Sequence, residues 1–184
     1  MAFDPLAYGP EVAAILALDG NGQRLMPLAE GTCSSEEART RLRSATATGL
    51  FPNSRAPLAA LSGLWLYFSC YDESHNLSQD IPTSDGSFWH GILHRQEPDA
   101  GNASYWFRQV GEHPVFEPLM AEAQALAADE GIKLPWSNKW DPFAFIDFCE
   151  RARRKPGSED EQLAQRIQRA EWQLLFDHCA RSHA

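Results

Sequence analysis

An all-α fold is predicted by three features of this sequence. Apolar residues recur at helical rather than strand spacing, capping residues precede several of those runs, and alternating segments joined by hairpin turns are almost absent. The expectation is a single domain over residues 1–184, built from about six to eight helices without a substantial sheet.

Pro10 opens a short helix carrying Val12, Ile15 and Leu16, and Gly20-Asn21-Gly22 stops it. Ser34 and Glu37 have the spacing of a capping box for a helix to about Thr46. Gly49 to Asn53 breaks the chain, and Pro57 then starts a long helix to about Leu77, the predicted central element. The segment Pro82-Thr83-Ser84-Asp85-Gly86 leads into a helix that finishes near Gln96, because Pro98 disfavours helical geometry at Glu97.

Asp99 or Asn102 caps the next helix, which runs to Val110 and stops at Gly111. Leu119, Met120, Ala123 and Leu126 form the apolar face of a helix between Pro114 and Glu130. Asp141-Pro142 starts a helix to Arg154, and Ser158 with Glu161 opens the last one, with a buried stripe of Leu163, Ile167, Ala170 and Leu174. Leu61, Trp65, Phe68, Leu93, Trp106, Ile146, Leu174 and Leu175 are expected in the core.

Composition narrows the partners. Sixteen basic against 25 acidic residues give a formal charge of −9, so no nucleic-acid partner is expected; the basic run Arg151 to Lys155 is accounted for by a helix C-terminus. The most hydrophobic stretch, Leu58 to Tyr71, falls short of the ~20 apolar residues of a membrane span, so no membrane role is expected either. Cys33, Cys70, Cys149 and Cys179 are widely spaced without a C-x-x-C pair, and read as reduced core residues. Met1 to Pro5 has neither a basic nor an apolar signal region, which predicts a cytoplasmic protein. Oligomeric state is open.

The polar residues concentrate in one region. His90, His94 and Glu97 fall on one helical face, and Asp72-Glu73-Ser74-His75-Asn76 stands just upstream across a short loop. His75 continues the inward series Leu61, Leu64, Phe68 and Tyr71, and alone it reads as a core histidine with hydrogen-bond partners. Together His75, His90, His94 and Glu97 make a candidate set for a divalent transition metal. The competing chemistry needs no metal: His75, His90 or His94, held by Asp72 or Glu73, acts as a general base in hydrolytic or lyase-type catalysis.

A small anionic ligand would then be held by Arg95, Arg108, Asn76, Trp89 and Tyr105. Arg95 and Arg108 also have plain helical roles, at a C-terminal turn and in an ion pair with Glu112. A nucleophilic triad and a dinucleotide fingerprint have no support, since neither motif occurs.

Gly91, Ala103, Phe107 and Val110 resemble the small and aromatic positions of a single tetratricopeptide or Sel1-like hairpin over residues 87–114. That resemblance implies a non-catalytic interaction module as the alternative function, although histidines replace the usual apolar positions and no second copy follows. The order Asp72-Glu73-Ser74-His75, then Ser87 to Arg95, then Tyr105 to Arg108 and His113-Pro114, resembles a family of microbial proteins with no assigned activity. No activity carries over from it.

Overall fold

Local capping accounts for most helix starts. Thr83 Oγ1 accepts from Gly86 N–H at 3.2 Å, Asp99 Oδ1 from Asn102 N–H at 3.0 Å, and Ser158 Oγ from Glu161 N–H at 3.2 Å. Asp141 Oδ1 takes two donors, Phe143 N–H at 2.9 Å and Ala144 N–H at 3.1 Å. The first predicted box is shifted by one residue: Ser35, not Ser34, caps by accepting from Ala38 N–H at 3.1 Å.

The structure is a computed structural model that describes residues 3–136 and 139–182. Among the described residues there are ten α-helices, two short 3-10 turns and no strand beyond an isolated bridge between Ser54 and Ser182. The helices are α1 (Pro10–Leu16), α2 (Glu36–Ser44), α3 (Ala47–Leu50), α4 (Pro57–Tyr67) and α5 (Tyr71–Ser78), followed by α6 (Ser84–Gln96), α7 (Ala100–Val110), α8 (Phe116–Asp129), α9 (Pro142–Ala152) and α10 (Glu159–Ala180).

The fold class is all-α as predicted, with more helices than the expected six to eight. One extra is α3, a single turn; the other arises because the predicted central helix is broken. Between α4 and α5, Ser69 adopts a φ of 56°, and Cys70 begins a new helix. Long-range partners hold that break: Arg24 Nη2 donates to Ser69 Oγ at 3.1 Å, and Ser34 N–H donates to Phe68 O at 2.7 Å.

Burial is greatest along α4, where Ala59 to Tyr67 are all buried, as expected of a helix apolar on every side. α4 packs against α5, α6 and α10. Two glycines set its distance from its neighbours and that of α6 from α7. A Cβ on Gly63 would stand 2.6 Å from the Trp89 ring, and one on Gly91 would stand 2.9 Å from Phe107. On the far side Trp172 donates its Nε1–H to Gly63 O at 2.8 Å and stacks on Phe176 with ring centroids 4.8 Å apart.

Three expectations about the core are corrected. Trp106 and Leu174 are half-buried rather than core residues: Trp106 lies over His90, and Leu174 lines a cavity beside Tyr8. Tyr105 is exposed. Cys33 and Cys70 form a disulfide, which joins the loop before α2 to the start of α5, while Cys149 and Cys179 are buried free thiols as expected. A chain of this size needs no disulfide for stability, but the break after α4 brings Cys70 against the loop that carries Cys33. Burial pushes the Cys149 thiol up to about 12, so it is inert at neutral pH. No helix among the described residues is long and apolar enough to cross a membrane.

Candidate metal centre and a second histidine cluster

The turn between α5 and α6 folds the two helices side by side, and this brings three imidazoles together. Ring centroids are 4.6 Å apart for His75 and His90, 4.7 Å for His90 and His94, and 5.5 Å for His75 and His94. One nitrogen from each lies within 4.8 Å of the others. Nitrogens sharing a tetrahedral ion stand ~3.4 Å apart, given metal–nitrogen bonds of ~2.0 to 2.1 Å, so small side-chain rotations bring these into range. His90 and His94 are buried and His75 is half-buried, so the cluster meets solvent at His75.

Neighbouring groups fix the tautomers. The single hydroxyl proton of Ser78 goes to Ser74 O at 2.7 Å, so Ser78 Oγ accepts Nδ1–H from His90, also at 2.7 Å. The lone pair of His90 is therefore on Nε2. His94 Nδ1 lies 2.9 Å from Glu97 Oε2, out of line for a hydrogen bond, and the carboxylate favours the proton on Nδ1 there too.

Burial, reinforced by the neighbouring His94 and His75, pushes His90 down to about 3. Burial also pushes His94 down, with His75 adding to it and Glu97 pulling the other way. Both rings are thus held neutral at pH 7, the state in which imidazole binds metals. Trp106 covers His90, with ring centroids 4.2 Å apart.

The other residues singled out from the sequence are placed as follows. Glu97 sits at the end of α6 beside His94 Nδ1, as an orienting carboxylate. Glu73 faces away from the imidazoles and pairs with Arg39 and Arg43 of α2, at 2.7 Å to each. Asp72 and Asn76 are exposed on α5. Trp89 is fully buried against α4 and cannot line a ligand site. Arg95 is likewise buried: it forms an ion pair with Glu171, donates to Gln168 Oε1 at 3.3 Å and lies over the Phe145 ring at 4.4 Å.

Arg95 therefore joins α6 to α10 and is not available to an anion. Tyr105 is an exposed neighbour of Trp106, and exposed Arg108 stands at a cavity away from the histidines. That cavity and a second one beside Tyr8 are lined by residues other than His75, His90 and His94. His75, His90 and His94 form a cluster between α5 and α6, with two rings buried and one half-buried.

A second cluster was not expected from the sequence. Asp85 in the first turn of α6 meets His113 from the α7–α8 connection and His178 near the end of α10. His113 Nε2 is 3.0 Å and His178 Nε2 3.3 Å from Asp85 Oδ1, the latter without hydrogen-bond alignment. Burial works to raise the Asp85 carboxyl, but the hydrogen bond from His113 and the closeness of His178 outweigh it and hold Asp85 well below the usual carboxylate range.

The tautomer here is reversed. Val115 N–H donates to His113 Nδ1 at 3.3 Å, so that nitrogen is the acceptor and the proton sits on Nε2, pointed at Asp85. A metal at Nε2 would need the proton on Nδ1, facing another donor. The geometry of three candidate ligands is present, but the surrounding hydrogen bonds suit a buried charge clamp instead.

Comparison with protein families, with curated proteins and with solved structures finds no match to this chain.

Proposed function

We propose that this protein binds one divalent transition metal ion through His75, His90 and His94. The observation that supports this most directly is the group behind each ligand: the hydrogen bond to Ser78 leaves the Nε2 lone pair of His90 free, and the Glu97 carboxylate beside Nδ1 favours the same tautomer at His94. Three imidazoles suit zinc, copper, nickel or iron, and do not suit calcium or magnesium.

Three protein ligands leave a fourth position for water or a small anion, the arrangement that metal-assisted hydrolytic chemistry uses. That anion would be held by the metal rather than by Arg95, whose guanidinium is spent on Glu171. A cytoplasmic setting is part of this proposal, and the Cys33–Cys70 bond is the feature that argues for an oxidising compartment instead.

The test is calorimetric titration with zinc of untagged, chelator-treated protein, alongside His94→Leu. Wild type should take up one ion per chain, and the variant none. Because leucine puts no unpaired polar group into the site, the melting temperature of the variant without metal should be equal to wild type or higher. A large loss of stability in His94→Leu, with no metal bound by either protein, would assign the cluster to a core hydrogen-bond network.

A further inference from the structure

The histidine cluster depends on the break between α4 and α5, and local sequence does not make that break. From Leu64 to Ile81 there is no glycine or proline, so local preference would carry one helix through Ser69. Instead Ser69 takes a φ of 56°, a left-handed value disfavoured for serine. From there α5 starts afresh and packs on α6, with the His75 ring centre 4.6 Å from that of His90 and 5.5 Å from that of His94.

One segment imposes the break. Residues 24–34 form neither helix nor strand, and they hold residues 67–71 at several points. Arg24 donates to Tyr67 O and to Ser69 Oγ, Ser34 N–H donates to Phe68 O at 2.7 Å, and Tyr71 Oη donates to Ala29 O at 3.3 Å. The covalent member of this set is the Cys33–Cys70 bond, which ends on the N-cap residue of α5.

Its two sulfurs are unequally reachable. Cys70 is 2% exposed, while Cys33 is half-buried between exposed Thr32 and Ser34, so a thiolate approaches the bond at Cys33 Sγ. We infer that the Cys33–Cys70 bond is a redox-modification site for a dithiol reductant, and that its reduction unfastens the start of α5 and draws His75 away from His90 and His94.

The exchange balances in two steps. One sulfur of the dithiol attacks Cys33 Sγ as a thiolate, the Sγ–Sγ bond breaks, and Cys70 leaves as a thiolate that takes a proton from water. The second sulfur of the reductant, deprotonated in turn, displaces Cys33 from the mixed disulfide. Cys33 is then protonated, and the reductant is left with an internal disulfide, two electrons having passed to the cysteine pair. Cys149 and Cys179 are buried and take no part. A cytoplasmic disulfide is usually transient and redox-sensing, so the assignment reconciles this bond with the proposed setting.

The consequence for metal rests on the reading of His75, His90 and His94 as ligands; the redox site itself does not. The test treats the intact protein with dithiothreitol, removes the reductant without air, and labels native thiols with N-ethylmaleimide for mass spectrometry. Cys33 and Cys70 should label, and Cys149 and Cys179 should not. In unlabelled reduced protein, hydrogen exchange should quicken in residues 24–34 and 67–75 and stay unchanged in α10. Zinc affinity should fall at least ~10-fold, the lower end of what groups behind a metal ligand contribute. Cys33→Ser/Cys70→Ser gives the unbridged chain without thiols that could themselves bind zinc, and should match the reduced protein.

Labelling of Cys33 and Cys70 only on unfolding, together with Cys149 and Cys179, would overturn the inference. Exchange in 67–75 unchanged by reduction, or zinc bound equally by the bridged and unbridged forms, would overturn the movement of His75. Zinc bound by neither form would remove the metal reading alone, and exchange in 67–75 would still decide whether reduction unfastens α5.

Discussion

The two histidine clusters share helix α6, yet the groups behind their rings prepare them for opposite tasks. At His90 the hydrogen bond to Ser78 leaves Nε2 as a lone pair, and burial holds the ring neutral. At His113 the donor is backbone Val115 N–H, which puts the proton on Nε2 and aims it at an ionised Asp85. The same residue type is a candidate metal ligand in one place and a neutral hydrogen-bond donor to a buried carboxylate in the other. What differs is a donor or an acceptor one bond further out, so the comparison is best broken by changing those groups and reading stability and metal binding separately.

The largest expected effect is on the charge clamp. Asp85→Ala removes the acceptor that faces His113 and His178 and leaves the buried His113 Nε2–H and the half-buried His178 without it, at ~1 to 3 kcal/mol for each stranded donor. His75→Ala, at the half-buried edge of the other cluster, should cost less than ~1 kcal/mol in protein without metal. Denaturant midpoints of the two variants measure both. A tolerated Asp85→Ala beside an unfolded His75→Ala would reverse the roles assigned to the clusters.

Acid should separate them next, because their groups titrate in different windows. His90 is held down to about 3 in the folded chain, against ~6.5 when unfolded. Between those values the unfolded chain binds more protons, so stability in metal-free protein is full above the unfolded value and falls as pH drops through the window. His94, also pushed down, adds to the same limb. Asp85 behaves as a depressed carboxyl: its contribution is present above the ordinary ~3.9 and is lost only as pH falls below that. Melting temperature against pH should therefore decline first on the histidine limb, and His90→Phe should flatten that limb while leaving the lower one. A wild-type curve without slope between pH 6.5 and 4.5 would remove the buried neutral His90.

The difference between the clusters also shows what the sequence could reveal. Cap residues such as Asp99, Asp141 and Ser158 act on N–H groups two or three residues away, and the ends of their helices were legible for that reason. His75, His90 and His94 were legible for a related reason: a short turn joins two helices, and i, i+4 spacing orders the second.

Asp85, His113 and His178 come from three elements far apart in the chain, and local reading gave Asp85 only a place beside a helix cap. Arg95 was misread in the same way, since its position in a last turn suggests a dipole role while its partner Glu171 lies on α10. The break at Ser69 carried no glycine or proline to announce it; Arg24 and the loop at Ser34 hold it from a distance. Glu73 looked like a site residue because it precedes His75, but successive helical residues point in different directions and it faces α2.

The smallest predicted effect bears most directly on the tautomer argument. Ser78→Ala deletes the acceptor for His90 Nδ1–H without touching a metal ligand. His90 then loses the group that keeps its Nε2 lone pair free, and zinc affinity should fall ~10-fold, the lower end of what outer-shell partners contribute at metal sites. Glu97→Gln keeps an acceptor oxygen near His94 and should fall less. His178→Ala, in the other cluster, should leave zinc affinity unchanged while lowering stability. Competition titration with a chromophoric chelator resolves differences of this size. If Ser78→Ala binds zinc as tightly as wild type, the Ser78 bond is a packing contact and the contrast between the clusters rests on Asp85 alone. If His178→Ala weakens zinc instead, the metal belongs to the second cluster, and the proton assigned to His113 Nε2 is displaced when it binds.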